Sequence, residues 1–328
     1  MTIRYAHADL LRQGSFGLNV LSPDDIEQIH QSTLDVLWNI GLKVMSQKAR
    51  EIFADNGCPV DEEKSIVKIP AHLVEDAILS TPATYRAHAL DPKNDYVPGG
   101  KKTGFVNFGE ASALMDPKTR QVREATRKDV DDTVRFIDAL DNCVGWERPL
   151  TPLDVDEDMS SIYNTYSFYT NSAKHGFLGI YSVEHFEAAV KMGAVMAGGE
   201  DKLAQKPTFT CSADPVSPLV LSKEATDVLI EACKFGIPIK INGLGMCGAT
   251  TCSELASTLV THNSEVLGSI VLGQLVRKGA PMVYGSSTSI MDMRTTLASM
   301  GAPEMSMLSA AVAKLALHYK IPSWVGGG

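Results

Sequence analysis

The second half of the chain repeats one pattern, a short apolar or β-rich run followed by an amphipathic segment. The runs begin near Val144, Gly176, Thr208, Pro238, Pro281 and Pro322, 30 to 43 residues apart. Units of this size favour parallel strands joined by right-handed helical crossovers. Six units approach the eight of a TIM-type (β/α)8 barrel. The repeat therefore predicts an α/β fold of the (β/α)8 TIM-barrel type, incomplete by about two strand–helix units.

The residues before the repeat predict helices first. Ser22 precedes Pro23 and two acidic residues, which is typical of a helix start, and apolar residues then recur at helical spacing as far as Ile40. Further helices are predicted over about 47–56 and from Pro70 to Ile78.

Strands and turns are predicted from about Thr84 to Glu124. A tight turn at 116–119 indicates a β-hairpin, and Gly99 to Lys102 precede a further strand over 103–108. Thr126 and Asp129 form a capping-box pattern for the next helix, to about Leu140. We therefore divide the chain into residues 1–125, an N-terminal helical segment plus β-hairpin layer, and residues 126–328, a partial barrel.

Composition restricts the class of protein. The net charge is −9 and the pI about 5.4, with no basic cluster, which argues against nucleic-acid binding. No run approaches the ~18 to 20 apolar residues that cross a bilayer, and the N-terminus has no signal-peptide core. The six cysteines form no disulfide-like framework. We therefore expect a soluble cytoplasmic protein with reduced thiols, without membrane or nucleic-acid partners.

Two motifs carry weak signals. The segment Gly243 to Gly248 matches the dinucleotide-binding fingerprint of nucleotide-dependent oxidoreductases. It lies in the fourth unit, however, and is followed by loop residues 249–253. We therefore interpret it as a flexible βα loop and not as a nucleotide-binding turn. Cys247, Cys252 and His262 have poor zinc-ligand spacing, and we predict no metal site. His262, Asn263 and Glu265 share one turn of an apolar helix and favour a polar network that anchors it.

Barrel chemistry is expected where strands end. At those positions the sequence places acids, an amide, an aromatic residue and a hydroxyl, and the predicted substrate-binding residues are Glu147, Asp214, Asn242, Tyr284 and Ser286. Carboxylates and ring faces suit a small amine or alkylammonium ion. Each residue alone has an ordinary structural explanation, so the prediction depends on their shared position.

A resemblance to one family extends over nearly the whole chain. It rests most specifically on LVTHNSEVL (259–267), YGSSTSIMD (284–292), GAPEMSMLSAAVAKLA (301–316) and IPSWVGGG (321–328), with EIFADNGCPVDEE (51–63) and SPLVLS (217–222) also similar. These segments resemble the trimethylamine:corrinoid methyltransferase family. The resemblance implies a (β/α)8 barrel whose catalytic pyrrolysine follows Gly328 immediately, so that no catalytic residue lies within this chain and two barrel units are missing.

The family implies a specific chemistry. A tertiary amine would add to the electrophilic imine carbon of pyrrolysine, which makes its nitrogen quaternary and orients a methyl group for attack. The implied methyl acceptor is the Co(I) corrinoid of a separate corrinoid protein that docks over the barrel mouth, and no cofactor is expected on this chain itself. We expect a small methylated amine as substrate and a homo-oligomeric protein.

Alternatives remain open at this stage. A pyrrolysine-free relative would demethylate a quaternary amine such as glycine betaine, which needs no activation. A truncated chain would be inactive alone and would retain only binding or oligomerising capacity. An incomplete barrel should also expose the flanks of its first and sixth strands, which predicts aggregation.

Overall fold

The fold is built around a sheet of six parallel strands, here seen in a computed structural model that describes residues 19–99 and 103–327. The strands follow chain order across the sheet: β6 (Gly145–Glu147), β7 (His175–Gly179), β8 (Phe209–Ser212), β10 (Ile239–Gly243), β12 (Met282–Ser286) and β14 (Ser323–Val325). All five pairings are parallel. The α/β barrel-type fold predicted from the repeat is confirmed, with six strands forming a partial barrel.

One helix precedes the first strand of this sheet, and the later helices lie between successive strands. Their bounds are α4 (Arg127–Asp138), α5 (Ser160–Asn171), α6 (Val183–Ala197), α7 (Glu200–Gln205), α8 (Lys223–Phe235), α9 (Leu255–Val276) and α10 (Pro303–Tyr319). The predicted capping box at Thr126 and Asp129 begins α4. Helix α9 is buried on nearly all sides, as expected for a helix without a polar face.

The sheet curls strongly, as two side-chain contacts demonstrate. Lys240 on β10 contacts Glu147 on β6, with Nζ to Oε1 at 2.5 Å, although β7 and β8 lie between these strands. Phe177 on β7 and Trp324 on β14 have ring centroids 4.4 Å apart. Adjacent strands are spaced by about 4.8 Å, so a flat sheet would hold both pairs far apart. Their contact shows that the concave face forms a cup.

The N-terminal part packs on the outside of this half-barrel. It contains α1 (Pro23–Asp35), a π-helical turn (Val36–Ile40), β1 (Leu42–Val44), α2 (Gln47–Asp55), β2 (Val60–Asp61), β3 (Ile66–Val67) and α3 (Ala71–Ser80). Helix α1 begins at the predicted start, where Ser22 and Asp25 form a capping box. Strand β1 pairs with β9 (Val220–Leu221), which follows β8, so residues on both sides of the predicted division at 125/126 share one sheet. The division itself stays a prediction.

The predicted hairpin is present as β4 (Ala113–Met115) paired with β5 (Val122–Glu124) across the turn at 116–119. The other described strands, β11 (Met246–Cys247) and β13 (Ser289–Ile290), pair above the carboxyl end of the large sheet. The strand predicted over 103–108 is not continuous and contains only a bridge at Phe105. Of the segment before it, residues 100–102 lie outside the described residues.

The flank of β6 is covered, which corrects the expectation that both outer strands would be exposed. Asn107 replaces a neighbouring strand: its Oδ1 accepts from the Glu147 amide at 3.0 Å, and its Nδ2 donates to the Glu147 carbonyl at 2.6 Å. Backbone bonds from Val144 to Phe105 and from Glu110 to Arg148 extend this cover. The irregular segment satisfies the edge because a side-chain amide can offer the same donor and acceptor as a peptide group.

No helix in the described parts of the chain is long and apolar enough to cross a membrane.

Candidate functional site

The strand pleat divides the residues at the strand ends between two faces. Directly paired residues of parallel strands share a face, and successive residues alternate. By register, Glu147 pairs with Phe177, Lys240 with Val283, and Gly285 with Trp324. These residues all face into the cup, which we call the inner face. The residues between them point to the surrounding helices.

Lys240 is the central charge of the cup. Its side chain is 2% exposed, and its Nζ donates to Glu147 Oε1 at 2.5 Å. The same Nζ lies 4.6 Å from the centre of the Trp324 ring, in cation–π geometry. Sequence reasoning missed Lys240. The available signal was one charged residue inside an otherwise apolar strand, two positions before Asn242 and therefore on the same face.

Glu147, a predicted site residue, lies in the cup. Its carboxylate is the partner of Lys240, and Asn107 holds its backbone on both sides. This carboxylate is therefore already neutralised and fixed by the protein itself, rather than left free for a substrate cation.

Asp214, also predicted, follows β8 at the mouth of the cup. Ser212 Oγ donates to its Oδ1 at 2.7 Å. Burial raises the pKa of this carboxyl to about 6, against the opposing effects of Lys240 and the Ser212 hydrogen bond. No ion pair involves Asp214 in the described parts of the chain, where the charge of Lys240 acts on it only at longer range. Asp214 is thus a carboxylate of the cup that is available to a ligand.

Asn242 completes the polar wall. It lies at the carboxyl end of β10, on the inner face with Lys240, and is 7% exposed. Its Nδ2 donates to Ser287 Oγ at 3.2 Å. Glu147, Asp214 and Asn242 are therefore the predicted residues that the structure brings together, with Lys240 and Trp324 among them.

Tyr284 and Ser286 lie on the opposite face of β12. The Tyr284 hydroxyl donates to Asn263 Oδ1 on α9 at 2.6 Å, and burial raises its pKa well above the usual value. Ser286 is 1% exposed, and its Oγ accepts from the Thr288 amide at 3.1 Å. Ser286 ends β12, as predicted, whereas Tyr284 lies in the middle of that strand, and the pleat turns both side chains toward the helices. Their contacts support the wall of the cup from behind.

A second cation–aromatic group lies at the mouth. Arg148 forms an ion pair with Glu110, and its Cζ lies 4.7 Å from the centre of the Tyr181 ring. Gly179 makes room for it, because a Cβ there would lie 3.2 Å from the Glu110 carboxylate. The guanidinium is buried, and its Nε and Nη1 have no hydrogen-bond partner in the described chain. Both mouth aromatics thus carry a protein cation.

The floor of the cup is closed by polar contacts. His175 bridges the His88 carbonyl (2.8 Å) and Thr210 Oγ1 (2.9 Å), and the Tyr85 hydroxyl contacts the same Thr210 oxygen at 3.0 Å. Burial lowers the pKa of His175 to about 4, so the ring is neutral near pH 7. The floor therefore adds hydrogen bonding to the cup without charge.

The polar turn of α9 is a structural network, as predicted. His262 Nε2 lies 3.0 Å from the Gly285 carbonyl, Asn263 connects three other elements, and both Glu265 oxygens accept hydrogen bonds. Cys247 is buried while Cys252 is exposed, and no cluster of three or more metal-binding side chains occurs within residues 19–99 and 103–327. Residues after the Gly243–Gly248 motif form a loop, and α9 begins only at Leu255.

Comparison with known proteins decides the family. The family model described as trimethylamine methyltransferase (MTTB) matches residues 4–328. The chain belongs to the trimethylamine methyltransferase family. Within this family, the trimethylamine methyltransferase of Desulfitobacterium hafniense is 48% identical over 321 residues, which cover 98% of this chain and 65% of that protein. A glycine betaine methyltransferase from another strain of that species is 30% identical, covering 94% of this chain and 64% of that protein.

A solved structure supports the fold. The monomethylamine methyltransferase of Methanosarcina barkeri superimposes with a TM-score of 0.58 at 10% identity, covering 98% of this chain and 65% of that one. At this identity the likeness concerns the barrel-type fold alone. The chain spans somewhat less than two thirds of the length of these relatives, so the cup described here corresponds to part of a longer family member.

Proposed function

We propose that the whole protein transfers a methyl group from trimethylamine to the Co(I) corrinoid of a separate corrinoid protein, and that this chain supplies most of the amine-binding cup. The family match over nearly the whole chain carries the proposal. The concave polar face supports it, because it places a carboxylate, an amide and a ring close together at the carboxyl ends of barrel strands, where such enzymes bind substrates.

Within the cup, the proposed substrate contacts are Asp214 and Asn242, and Glu147 and Lys240 form the fixed wall beside them. Among the described residues, Asp214 accepts a hydrogen bond at Oδ1 alone, and the Asn242 amide contacts only Ser287. Tyr284 and Ser286 are proposed to support this wall from the helix side, since both are buried there. When several fixed groups hold the substrate, its translational and rotational entropy is lost on binding. The reaction step itself is then faster than a reaction between separate molecules.

The reaction requires an activated amine, because the nitrogen must leave with the electron pair of the broken C–N bond. Dimethylamine is then the product, and the methyl group goes to the corrinoid. We propose that the activating electrophile is a pyrrolysine directly after Gly328, as the resemblance implies. The described residues Gly326 and Gly327 continue from β14 past the strand end, where the Gly326 amide donates to the Ser286 carbonyl at 3.2 Å.

The test is methyl transfer itself. The whole protein, including the proposed pyrrolysine, is incubated with trimethylamine and a reduced corrinoid protein. Dimethylamine is measured by proton NMR while the corrinoid is followed by absorbance. We expect Asp214→Asn and Asn242→Ala to lower the rate by about tenfold or more, as loss of a positioned polar contact does. Asn56→Ala, an exposed change at the end of α2, is the matched control. Unchanged rates in both cup variants would contradict the assignment of these residues.

Glycine betaine is the second candidate substrate, because a relative that is 30% identical and aligns with 94% of this chain is named for it. Its quaternary ammonium needs no activation. The same assay with glycine betaine in place of trimethylamine, with dimethylglycine as the product measured, separates the two candidates. Turnover of glycine betaine alone would overturn the trimethylamine proposal.

A cytoplasmic location and a homo-oligomeric state stay predictions. The apolar side chains of Trp38, Ile40 and Met45 are 46–59% exposed, and we propose that a second copy of the chain covers them. Light scattering coupled to size-exclusion chromatography measures the oligomeric state directly.

A further inference from the structure

The aromatic rings at the cup already carry cations of the protein. Lys240 Nζ lies over the Trp324 ring at 4.6 Å, and the Arg148 guanidinium lies over Tyr181 at 4.7 Å. Ring faces of this kind are the positions that proteins use to hold an alkylammonium ligand. Phe177 lies against Trp324 as well, with centroids 4.4 Å apart. A charged substrate entering this cup would therefore have to compete with the protein's own cations.

The carboxylates of the cup do not restore a preference for a charged substrate. Glu147 is paired with Lys240, and Glu110 is paired with Arg148. Asp214 is left to attract a cation, but Lys240 acts on the same region with the opposite sign. Because Lys240 is almost fully buried, water screens its charge weakly. An ammonium ion beside it is disfavoured, whereas a free amine offers a lone pair to which a lysine N–H donates.

We propose that the cup takes its tertiary amine in the uncharged form, and that Lys240 is the residue that determines this selection. The inference rests on the proposed function, since it names the form in which that substrate binds. The step is a simple proton balance: the trialkylammonium ion leaves its proton in solvent, the nitrogen keeps its electron pair, and the neutral base binds beside Lys240. The bound amine then has the lone pair that its activation requires.

The proposal predicts how affinity depends on pH. An alkylammonium group titrates near ~10, like the side chain of lysine, so the uncharged fraction rises about tenfold per pH unit below that value. The titratable groups around Lys240 are Glu110, Glu147, Arg148, Tyr181, Cys211 and Asp214. The range between pH 7 and 9 lies above the pKa of Asp214, which burial raises to about 6, so this carboxyl is ionised throughout the measurement. Changes of affinity in this range then report on the ligand.

The experiment measures binding, which needs neither the corrinoid protein nor turnover. Trimethylamine and tetramethylammonium, a permanent cation of similar shape, are titrated into the purified protein at pH 7, 8 and 9 by isothermal calorimetry. The variants are Lys240→Met, Lys240→Arg and the double variant Glu147→Gln/Lys240→Met, which removes the ion pair without leaving a buried charge. Lys128→Met, an exposed lysine on α4, is the control.

For the unchanged protein we expect trimethylamine affinity to rise about tenfold per pH unit and tetramethylammonium to bind at least about tenfold more weakly at pH 9. Lys240→Met and the double variant should bind tetramethylammonium about tenfold more tightly and lose the steep pH dependence. Lys240→Arg should retain the selection, since it keeps the charge. If Lys240→Met does not fold, as judged by circular dichroism, the double variant carries the same comparison.

Two results would overturn the inference, and they differ in what else they affect. Equal binding of both ligands, with affinity independent of pH, would show that the cup accepts the cation and would leave the proposed methyl transfer intact. Binding of neither ligand at any pH would contradict the amine-binding cup, and with it the proposed function.

Discussion

Glu265 shows how a single buried carboxyl organises the junction between the barrel and the N-terminal part. It is fully buried in α9, where Oε2 accepts from Ser217 Oγ and Oε1 from the Leu219 amide, both at 2.8 Å. Leu219 has φ of +60°, a backbone conformation that a leucine adopts only under constraint. Burial raises the pKa of Glu265 to about 7, above the usual value of 4.5. The loop before β9 is thus held by an acid that titrates near neutrality.

Stability should therefore depend on pH through Glu265. Its pKa is higher in the folded state, so its stabilising contribution is complete below about 4.5 and is lost as pH rises through about 7. Relative to Glu265→Gln, the free energy of unfolding should fall by about 3 kcal/mol between pH 4.5 and 8. Urea unfolding of both proteins at three pH values measures this difference. Parallel pH curves would contradict it.

Position 243 requires a glycine because of a neighbouring side chain, and not because of its backbone conformation. A Cβ at this position would lie 2.4 Å from His262 Cδ2, and that ring is buried with its Nε2 beside the Gly285 carbonyl. We expect Gly243→Ala to lower the free energy of unfolding by about 1–3 kcal/mol, the cost of overpacking a filled core. Gly327→Ala is the matched control, because an added Cβ there would have no atom of the described residues within 4 Å, apart from its chain neighbours. Equal unfolding midpoints for the two variants would show that His262 can move aside.

Among the elements, α9 is the one that connects the layers. Asn263 in its middle donates to Thr33 of α1 and to the Tyr319 hydroxyl of α10, both at 2.9 Å, and accepts from the Tyr284 hydroxyl of β12. One amide group therefore joins the N-terminal part, the barrel sheet and the last described helix. Since all these groups are buried, water cannot replace a hydrogen bond that is lost, and the remaining polar atom would be left unsatisfied.

Asn263→Ala should thus be strongly destabilising. It leaves the buried Tyr284 hydroxyl without its partner and removes one of two contacts of the Tyr319 hydroxyl, which also lies 3.1 Å from His30 Nδ1. The cost is about 1–3 kcal/mol in total. Chemical denaturation followed by circular dichroism measures the change, with Asn56→Ala, at the exposed end of α2, as the control. A loss below about 1 kcal/mol would show that the hydroxyls find other partners.

Much of this element-level organisation could be predicted from the sequence, because it depends on local patterns. The six strands, the capping boxes of α1 and α4 and the hairpin turn follow from apolar periodicity and from residues that satisfy helix ends. The candidate site was predicted less well. The apolar run predicts that Tyr284 lies on a strand, but only the pleat decides that its side chain faces α9 while that of Val283 faces the cup. The contact of Lys240 with Glu147 depends on sheet curvature, which no local pattern records.

At the scale of the whole molecule, the two outer strands of the sheet are treated differently. The flank of β6 is covered by residues 105–111, centred on Asn107, whereas β14 pairs only with β12 within residues 19–99 and 103–327. Uncovered strand edges pair readily with other chains. Covering the edge of β6 therefore removes one place where the sheet could pair with another chain.

Asn107→Ala should open the second edge. The change removes both bonds to the Glu147 backbone, which costs about 1–2 kcal/mol and leaves an unpaired donor and acceptor on β6. We expect light scattering at 37 °C to increase faster than for the unchanged protein. Asn56→Ala serves as the exposed control. Identical scattering of the Asn107 variant would show that the backbone bonds of Phe105 and Glu110 cover the edge without it.

The contact between Lys240 and Trp324 gives the cup an optical property of its own. The protein has three tryptophans, and Trp146 is sealed behind the sheet while Trp38 lies in the N-terminal part. Indole emission responds to a nearby charge. The charge beside Trp324 is the Lys240 ammonium group, which an amine entering the cup would also contact. A form with phenylalanine at positions 38 and 146 would therefore report on the occupancy of the cup by its own fluorescence, in real time and without a label.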